Sequence, residues 1–139
     1  MPLLFTPNVG TQTLGWLLLV GGLVPFIWGH MVLGKPTHMP SVWDRLVRHS
    51  LYAYVRHPIY AGGFLIIIGI ALLKPTVTVV LACAFGFVSL IIQARLEEID
   101  LLQRLPGYRE YMEQVPRFLP LIRHKQSSKI SRFPEAKPR

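Results

Sequence analysis

Residues 46–62 read LVRHSLYAYVRHPIYAG, a run of cationic and aromatic side chains set directly against the start of an apolar block. At its centre, Arg56-His57-Pro58-Ile59-Tyr60, the proline decides the local structure. Proline suits the first turn of a helix, where its missing N–H would have had no partner, and it drives the preceding residue towards extended backbone. The sequence therefore predicts a helix opening at Pro58 with His57 just outside it. The unpaired N–H groups of such a first turn favour an anion, so Arg56 and His57 would flank an anion-binding helix end at a membrane surface. The same residues also read as an ordinary basic flank of a membrane helix, with Tyr60 as an interfacial aromatic.

Outward from this junction, charge and hydropathy alternate in blocks. The chain has 139 residues, the size of one domain, with 51% apolar residues and a net charge of +8. Its mean hydropathy is +0.39. The charges are excluded from long segments and concentrated between them, which is the pattern of an integral membrane protein and not of a nucleic-acid binder. Residues 13–34 carry no formal charge, enough at about 1.5 Å per residue to cross about 30 Å of hydrocarbon. Pro25 should kink this first helix, and Gly21, Gly22 and Gly29 leave room for a close neighbour. Residues 59–73 are strongly apolar but reach only roughly 22 Å as a helix. After the turn at Lys74-Pro75-Thr76, residues 77–94 return across the membrane, so the second and third helices form a transmembrane hairpin.

Between the first two apolar blocks, Val42, Trp43, Leu46, Val47 and Leu51 recur at helical spacing and predict an amphipathic interfacial helix, with Trp43, Tyr52 and Tyr54 at headgroup depth. Beyond the third block, Arg95-Leu96-Glu97-Glu98-Ile99-Asp100 continues the helix out of the membrane, and Leu96, Ile99 and Leu102 supply an apolar face expected to pack back on the protein. Pro106-Gly107 ends it, a short helix opens at Tyr108, and two prolines extend residues 115–120. Residues 121–139 read as a basic mobile tail beyond a domain of residues 1–120. Lys and Arg number four in residues 35–57, one at Lys74 and ten from Arg95 onward. The positive-inside rule then puts the N-terminus and Lys74 outside, and the C-terminal region in the cytoplasm with Arg56-His57 and Glu97-Glu98.

A cationic pair beside a helix start, facing two carboxylates and several tyrosines, suits a zwitterionic ligand. Glu97 and Glu98 alone would read as a solvated turn pairing with Arg95 or Arg104. The histidines His30, His38, His49, His57 and His124 form no metal-ligand pattern, and Cys83 has no cysteine to pair with.

The ordered set Leu46-Val47, Tyr52, Arg56-His57-Pro58-Ile59-Tyr60-Ala61-Gly62, Glu97-Glu98, Tyr108, Tyr111 and Val115-Pro116-Arg117-Phe118-Leu119-Pro120 closely resembles the isoprenylcysteine carboxyl methyltransferases. It is similar also to the wider group of membrane methyltransferases that includes phospholipid N-methyltransferases. The resemblance implies an all-α integral membrane enzyme of about three transmembrane helices with a cytoplasmic C-terminal helical segment. Such an enzyme binds S-adenosylmethionine and methylates a lipophilic substrate entering from the bilayer. It further implies cofactor contacts from Leu46, Val47, Tyr52, Arg56, His57, Tyr60, Glu97, Glu98 and Tyr108, with Glu97 favoured over Glu98. Arg95, Glu98 and Arg117 are the candidates for the chemical step. The family commonly has Gly-Pro or Gly-Val where this chain has Ser50-Leu51. The first half is also shorter than in the isoprenylcysteine enzymes, leaving the side on which a lipid would enter incomplete unless another copy or another protein supplies it. Two other readings share features of the sequence: a nicotinamide-dependent sterol-type reductase, which resembles it in an R-H-P-x-Y-like motif, and a non-catalytic membrane adaptor with a degenerate site.

Overall fold

In the computed structural model, residues 2–33 and 46–120 are described, so residues 34–45, with Val42 and Trp43, and the basic tail lie outside the description. The described chain is helical: α1 (Val9–Leu33), a short 3-10 helix (Ser50–Ala53), α2 (Pro58–Leu73), α3 (Val77–Arg104) and α4 (Tyr108–Gln114). α1 begins earlier than the hydropathy suggests because Asn8 caps it. Its Oδ1 accepts from the Thr11 N–H at 2.9 Å, while its own N–H donates to Thr11 Oγ1 at 2.9 Å. The helix runs on through Pro25.

α1 and α3, of 25 and 28 residues, are long and apolar enough to cross a membrane, and α2, of 16, is a shorter apolar helix. Their outward faces are apolar. Trp16, Leu17, Val20 and Val24 on α1 and Leu81, Phe85, Val88 and Ile92 on α3 are all exposed, as suits helices whose solvent is lipid.

α1 and α2 run antiparallel along a seam of glycines spaced seven apart, Gly15, Gly22 and Gly29 against Gly62 and Gly69. A Cβ placed on Gly62 would lie 2.5 Å from the carbonyl oxygen of Gly22, and one on Gly69 2.7 Å from that of Gly15. Backbone therefore lies on backbone, which only glycine permits. The seam corrects one expectation. Gly21 faces open space, and Gly15 takes the place expected for it.

At the far end, residues 2–4 lie across the α2–α3 turn. Leu4 N–H donates to the Pro75 carbonyl at 2.8 Å, and Val77 N–H to that of Pro2 at 3.3 Å. Thr76 caps α3, its hydroxyl accepting from the Val79 N–H at 3.3 Å.

At the near end, α3 continues past Ala94 as the charged extension. Here the expected apolar face is the wrong one: Leu96, Ile99 and Leu102 are exposed, and Leu101 and Leu105 pack inward on Tyr108, Tyr111 and Val115. With about 3.6 residues per turn, Glu98, Leu101 and Leu105 share one face, and that face is turned in. Gly107 adopts a φ of 80°, the left-handed conformation open to glycine, and starts α4. The expected amphipathic helix is not formed by its described part: Leu46 and Val47 precede the 3-10 helix as irregular chain, and Tyr52 is buried within that helix.

Candidate functional site

Pro58 occupies the first turn of α2 and His57 its cap position, with non-helical φ and ψ of −125° and 66°. His57 makes no side-chain capping bond. Its backbone N–H and that of Arg56, freed from the helix, are taken by the strap that follows α4. Arg56 donates to the Pro116 carbonyl at 2.9 Å and His57 to that of Arg117 at 3.0 Å. The two prolines keep residues 115–120 extended, so the strap can lie across the start of α2. Phe118 then packs on the first part of α2, with ring centroids 4.9 Å from Phe64 and 5.9 Å from His57.

Glu98 is the hub beneath this strap. Its side chain is 3% exposed. Arg117 holds it through two bonds, Nε to Oε1 at 3.0 Å and Nη2 to Oε2 at 2.6 Å. His57 Nε2 reaches Oε1 at 3.1 Å. Arg56 Nη1 stands 3.0 Å from the same Oε1, near enough for charge pairing but out of line for a hydrogen bond, so its Nη1 and Nε are buried donors with no aligned acceptor among the described residues. Such donors are costly to leave unmade. Burying a carboxylate needs this degree of compensation, because a lone charge in a low dielectric is expelled or neutralised.

Glu97, one residue earlier, points elsewhere. Its side chain is 45% exposed, its Oε2 accepts from the Tyr60 hydroxyl at 3.1 Å, and the same oxygen lies 3.8 Å from His57 Nδ1. The His57 and Tyr60 rings stack at 5.3 Å. Burial, and then the negative charge of Glu97, push the Tyr52 hydroxyl up to about 12. Burial likewise carries Tyr108 up to about 12, with the Glu98 charge adding to it. Both stay neutral hydrogen-bond donors near a carboxylate. The imidazole of His57, ahead of α2, goes the other way: burial lowers its pKa from the usual range, against the pull of Glu97 and Glu98.

The cradle for these groups is built by Tyr111, which the resemblance placed in the C-terminal element covering the cofactor, and by Arg48, to which the sequence assigned no site role. Tyr111 donates its hydroxyl to the Tyr52 carbonyl at 2.6 Å, and Arg48 donates to the Gly107 carbonyl at 2.5 Å while its guanidinium stands over the Tyr111 ring at 5.6 Å. Arg48 thus ties the segment before α2 to the start of α4. Its only signal in the sequence was a cation among aromatics. Ser50 has a φ of 57°. This left-handed backbone is the conformation glycine adopts without strain, and Ser50 stands where the resembled family commonly has glycine.

Against this geometry, residues 11–108 match the phospholipid methyltransferase family, a span of more than half the chain. The chain belongs to that family. No curated protein and no solved structure matches it. Membership makes it one of a family of membrane methyltransferases, in accord with the two apolar spans. The matched segment runs from α1 to the first residue of α4, so the strap with Arg117 and Phe118 lies beyond it.

The fold brings together Arg56, His57, Tyr60, Glu97, Glu98 and Arg117, with Tyr52 and Tyr108 beside them. Leu46 packs into the Tyr108–Tyr111–Val115 core. Arg95 is exposed, and the partners of Glu98 are Arg56, Arg117 and His57 in its place.

Proposed function

We propose that this phospholipid methyltransferase family member uses S-adenosylmethionine to methylate a lipid-like acceptor at the membrane surface. The observation that carries the reading is the unlike pair of carboxylates. Glu98 is enclosed by Arg56, Arg117 and His57, while the Glu97 side chain is half-exposed and accepts one bond, from the Tyr60 hydroxyl. Beside Glu98, Arg56 retains buried donors without an aligned acceptor among the described residues. A ligand with a carboxylate at one end and cationic groups at the other meets both needs, and S-adenosylmethionine is such a molecule.

When bound, the cofactor supplies a methyl group already activated on a sulfonium. The protein then has to hold donor and acceptor in line and keep water out. Arg56 Nε and Nη1 are the donors for the carboxylate. Glu97, with the faces of Tyr52 and Tyr60, receives the cationic end, where carboxylate and aromatic surface both favour positive charge. Tyr108 and the chain at Leu46 and Val47 shape the rest of the cradle, and the strap of residues 115–120 closes it through Arg117. Arg117 and Glu98 act here as a structural pair, and Arg95 has no part in the cradle.

Residues 1–120 form the catalytic unit in this reading, with the tail drawn to anionic headgroups. The Lys/Arg asymmetry puts the site on the cytoplasmic side. Isothermal titration of purified protein tests the cofactor: S-adenosylmethionine should bind and NADPH should not. Binding of NADPH alone would replace this reading with the reductase. Cysteine labelling beside Lys74 and Arg123 should give opposite accessibility from the outside, and equal labelling would overturn the orientation.

A further inference from the structure

Beyond the membrane-spanning part of α3, the exposed side chains do not match the water that the charges among them suggest. By Ala94 the helix has risen about 27 Å from Val77, close to the roughly 30 Å of a hydrocarbon core. Past that point Leu96 is 61% exposed, Ile99 54% and Leu102 38%, with Arg95, Glu97 and Asp100 interleaved. α4 follows at once on the same side and is built the other way. Its exposed residues are Arg109, Glu110, Glu113 and Gln114, all polar, and its tyrosines are turned in. Neighbouring elements with opposite surfaces face different solvents.

The apolar surface recurs on other elements beside the site. His57 and Tyr60 at the start of α2 meet Glu98 and Glu97, and Gly29 of α1 lies on Ile59, where a Cβ would come 2.6 Å from the Ile59 Cγ1. Gly29, the start of α2 and Glu97 therefore stand at about one depth. α1 runs on past that depth to Leu33, with Met31 and Leu33 exposed. Tyr54 before α2 and Leu119 at the end of the strap are exposed as well. The rise from Gly29 to Leu33 is about 6 Å and that from Glu97 to Leu102 about 7.5 Å, against about 5–7 Å for one headgroup layer. α1 and α3 pack on α2 separately, so one further helix would not cover both, whereas lipid surrounds them all.

We propose that these side chains form a collar that seats the Glu97–Glu98 site within the phospholipid headgroup layer, with α4 as its water-facing roof. The α3 extension, expected from its charges to leave the membrane, stays in it as far as Leu102. A headgroup layer suits the mixture of residues. Leu96, Ile99 and Leu102 reach the upper acyl chains, as an apolar helix face does when sunk about 5–10 Å into the headgroup boundary. Arg95 is exposed where lipid phosphates lie. Asp100 is paired with Arg104, Nη2 to Oδ2 at 2.6 Å. Pure water would penalise the leucines and pure hydrocarbon the charges. A water-borne ligand then reaches the site past α4 and the strap, and a lipid headgroup reaches it without being lifted from the bilayer. This depth does not depend on which ligand the site holds, so it stands apart from the methyltransferase reading.

Electron paramagnetic resonance of nitroxide-labelled protein in phosphatidylcholine–phosphatidylglycerol vesicles reads this depth directly. In a Cys83→Ser background, labels are placed singly through Ile99→Cys, Leu102→Cys and Leu119→Cys. Val88→Cys serves as the hydrocarbon reference and Arg109→Cys as the water reference. All five labelled positions are exposed, so the label displaces no packed side chain. At the three collar positions the ratio of accessibility to dissolved oxygen over that to a water-soluble nickel chelate should lie several-fold above the value at residue 109 and below the value at residue 88. Ratios equal to that at residue 109 would put the extension in water and overturn the collar. Ratios equal to that at residue 88 would put the site in hydrocarbon and overturn its placement among headgroups. Protection from both reagents, with broadening between paired labels, would show a second copy of the chain covering these side chains and overturn the lipid contact.

Discussion

α2 is joined to its two neighbours by opposite means. Against α1 it presents glycines, and the helices meet backbone to backbone with no ionised group between them. Against the end of α3 it presents Arg56 and His57, which meet a buried glutamate through long polar side chains, with the strap laid on top. The first joint is stiff because little can move without a clash. The second is held by charge and can in principle exchange a protein partner for a ligand. In the proposed reading the chemistry is carried out at the second joint, and the first gives it a fixed wall.

The contrast is broken most severely at Glu98. Glu98→Ala leaves Arg56 and Arg117 without their carboxylate, and removing one partner of a buried ion cluster costs about 3–5 kcal/mol. The variant should melt far below the wild type and its strap should be cut readily by protease near residue 117. A melting point within a few degrees of the wild type would mean that the hub is not what holds the strap. Glu97→Gln probes the ligand-facing half of the same joint. It should leave melting nearly unchanged while weakening S-adenosylmethionine binding about tenfold or more, since charge-assisted hydrogen bonds contribute about 1.5–3 kcal/mol. If Glu98→Gln lost more affinity than Glu97→Gln, the roles of the two carboxylates would have to be exchanged.

The glycine joint should fail by crowding. A Cβ on Gly62 meets the Gly22 carbonyl at 2.5 Å and the Phe26 nitrogen at 2.7 Å, both backbone atoms, so Gly62→Ala should cost about 1–3 kcal/mol as overpacking. Gly21→Ala, where a Cβ meets nothing within 4 Å, is the matched control and should be neutral or slightly stabilising by melting. Equal losses would show that the seam is not what the helices need.

Acid should weaken the charged joint and spare the other. The folded state depresses the pKa of His57 below the 6.5 of a free imidazole. Below that pH the unfolded chain binds a proton that the folded chain resists, so stability is unaffected above it and falls as the pH drops through it. His57→Gln should flatten this part of the melting-point profile. The smallest effect is expected at Ser50, whose left-handed φ of 57° glycine adopts freely. Ser50→Gly should stabilise by about 0.5–1 kcal/mol, and a destabilised variant would mean that the serine side chain contributes something its backbone conformation does not reveal.

Much of this was legible without coordinates. Pro58 announced where α2 starts, Pro106-Gly107 where α3 ends, and the apolar blocks gave the helices, because proline geometry and hydropathy act locally along the chain. Misreadings arose where one helix face had to be chosen. Leu96, Ile99 and Leu102 have the spacing of a packed stripe, yet the inward face is that of Glu98, Leu101 and Leu105. In a chain that borders lipid, apolar residues are stable facing outward, so hydrophobicity no longer marks the interior. Gly21 and Gly15 exchanged roles for a related reason: composition shows that small residues are present, and only the partner helix selects the ones it lies on.

The sequence by itself therefore determined the helices, their breaks and the family, which depend on local geometry and on ordered motifs. The tertiary structure alone decided that Glu98 is enclosed while Glu97 stays half-exposed, that Arg56 and Arg117 rather than Arg95 surround the enclosed one, and that His57 turns one nitrogen to each carboxylate. Adjacent residues on a helix point about 100° apart. Which of two neighbouring glutamates is enclosed is set by segments distant in the chain, the start of α2 and the strap beyond α4, and no local pattern encodes their approach.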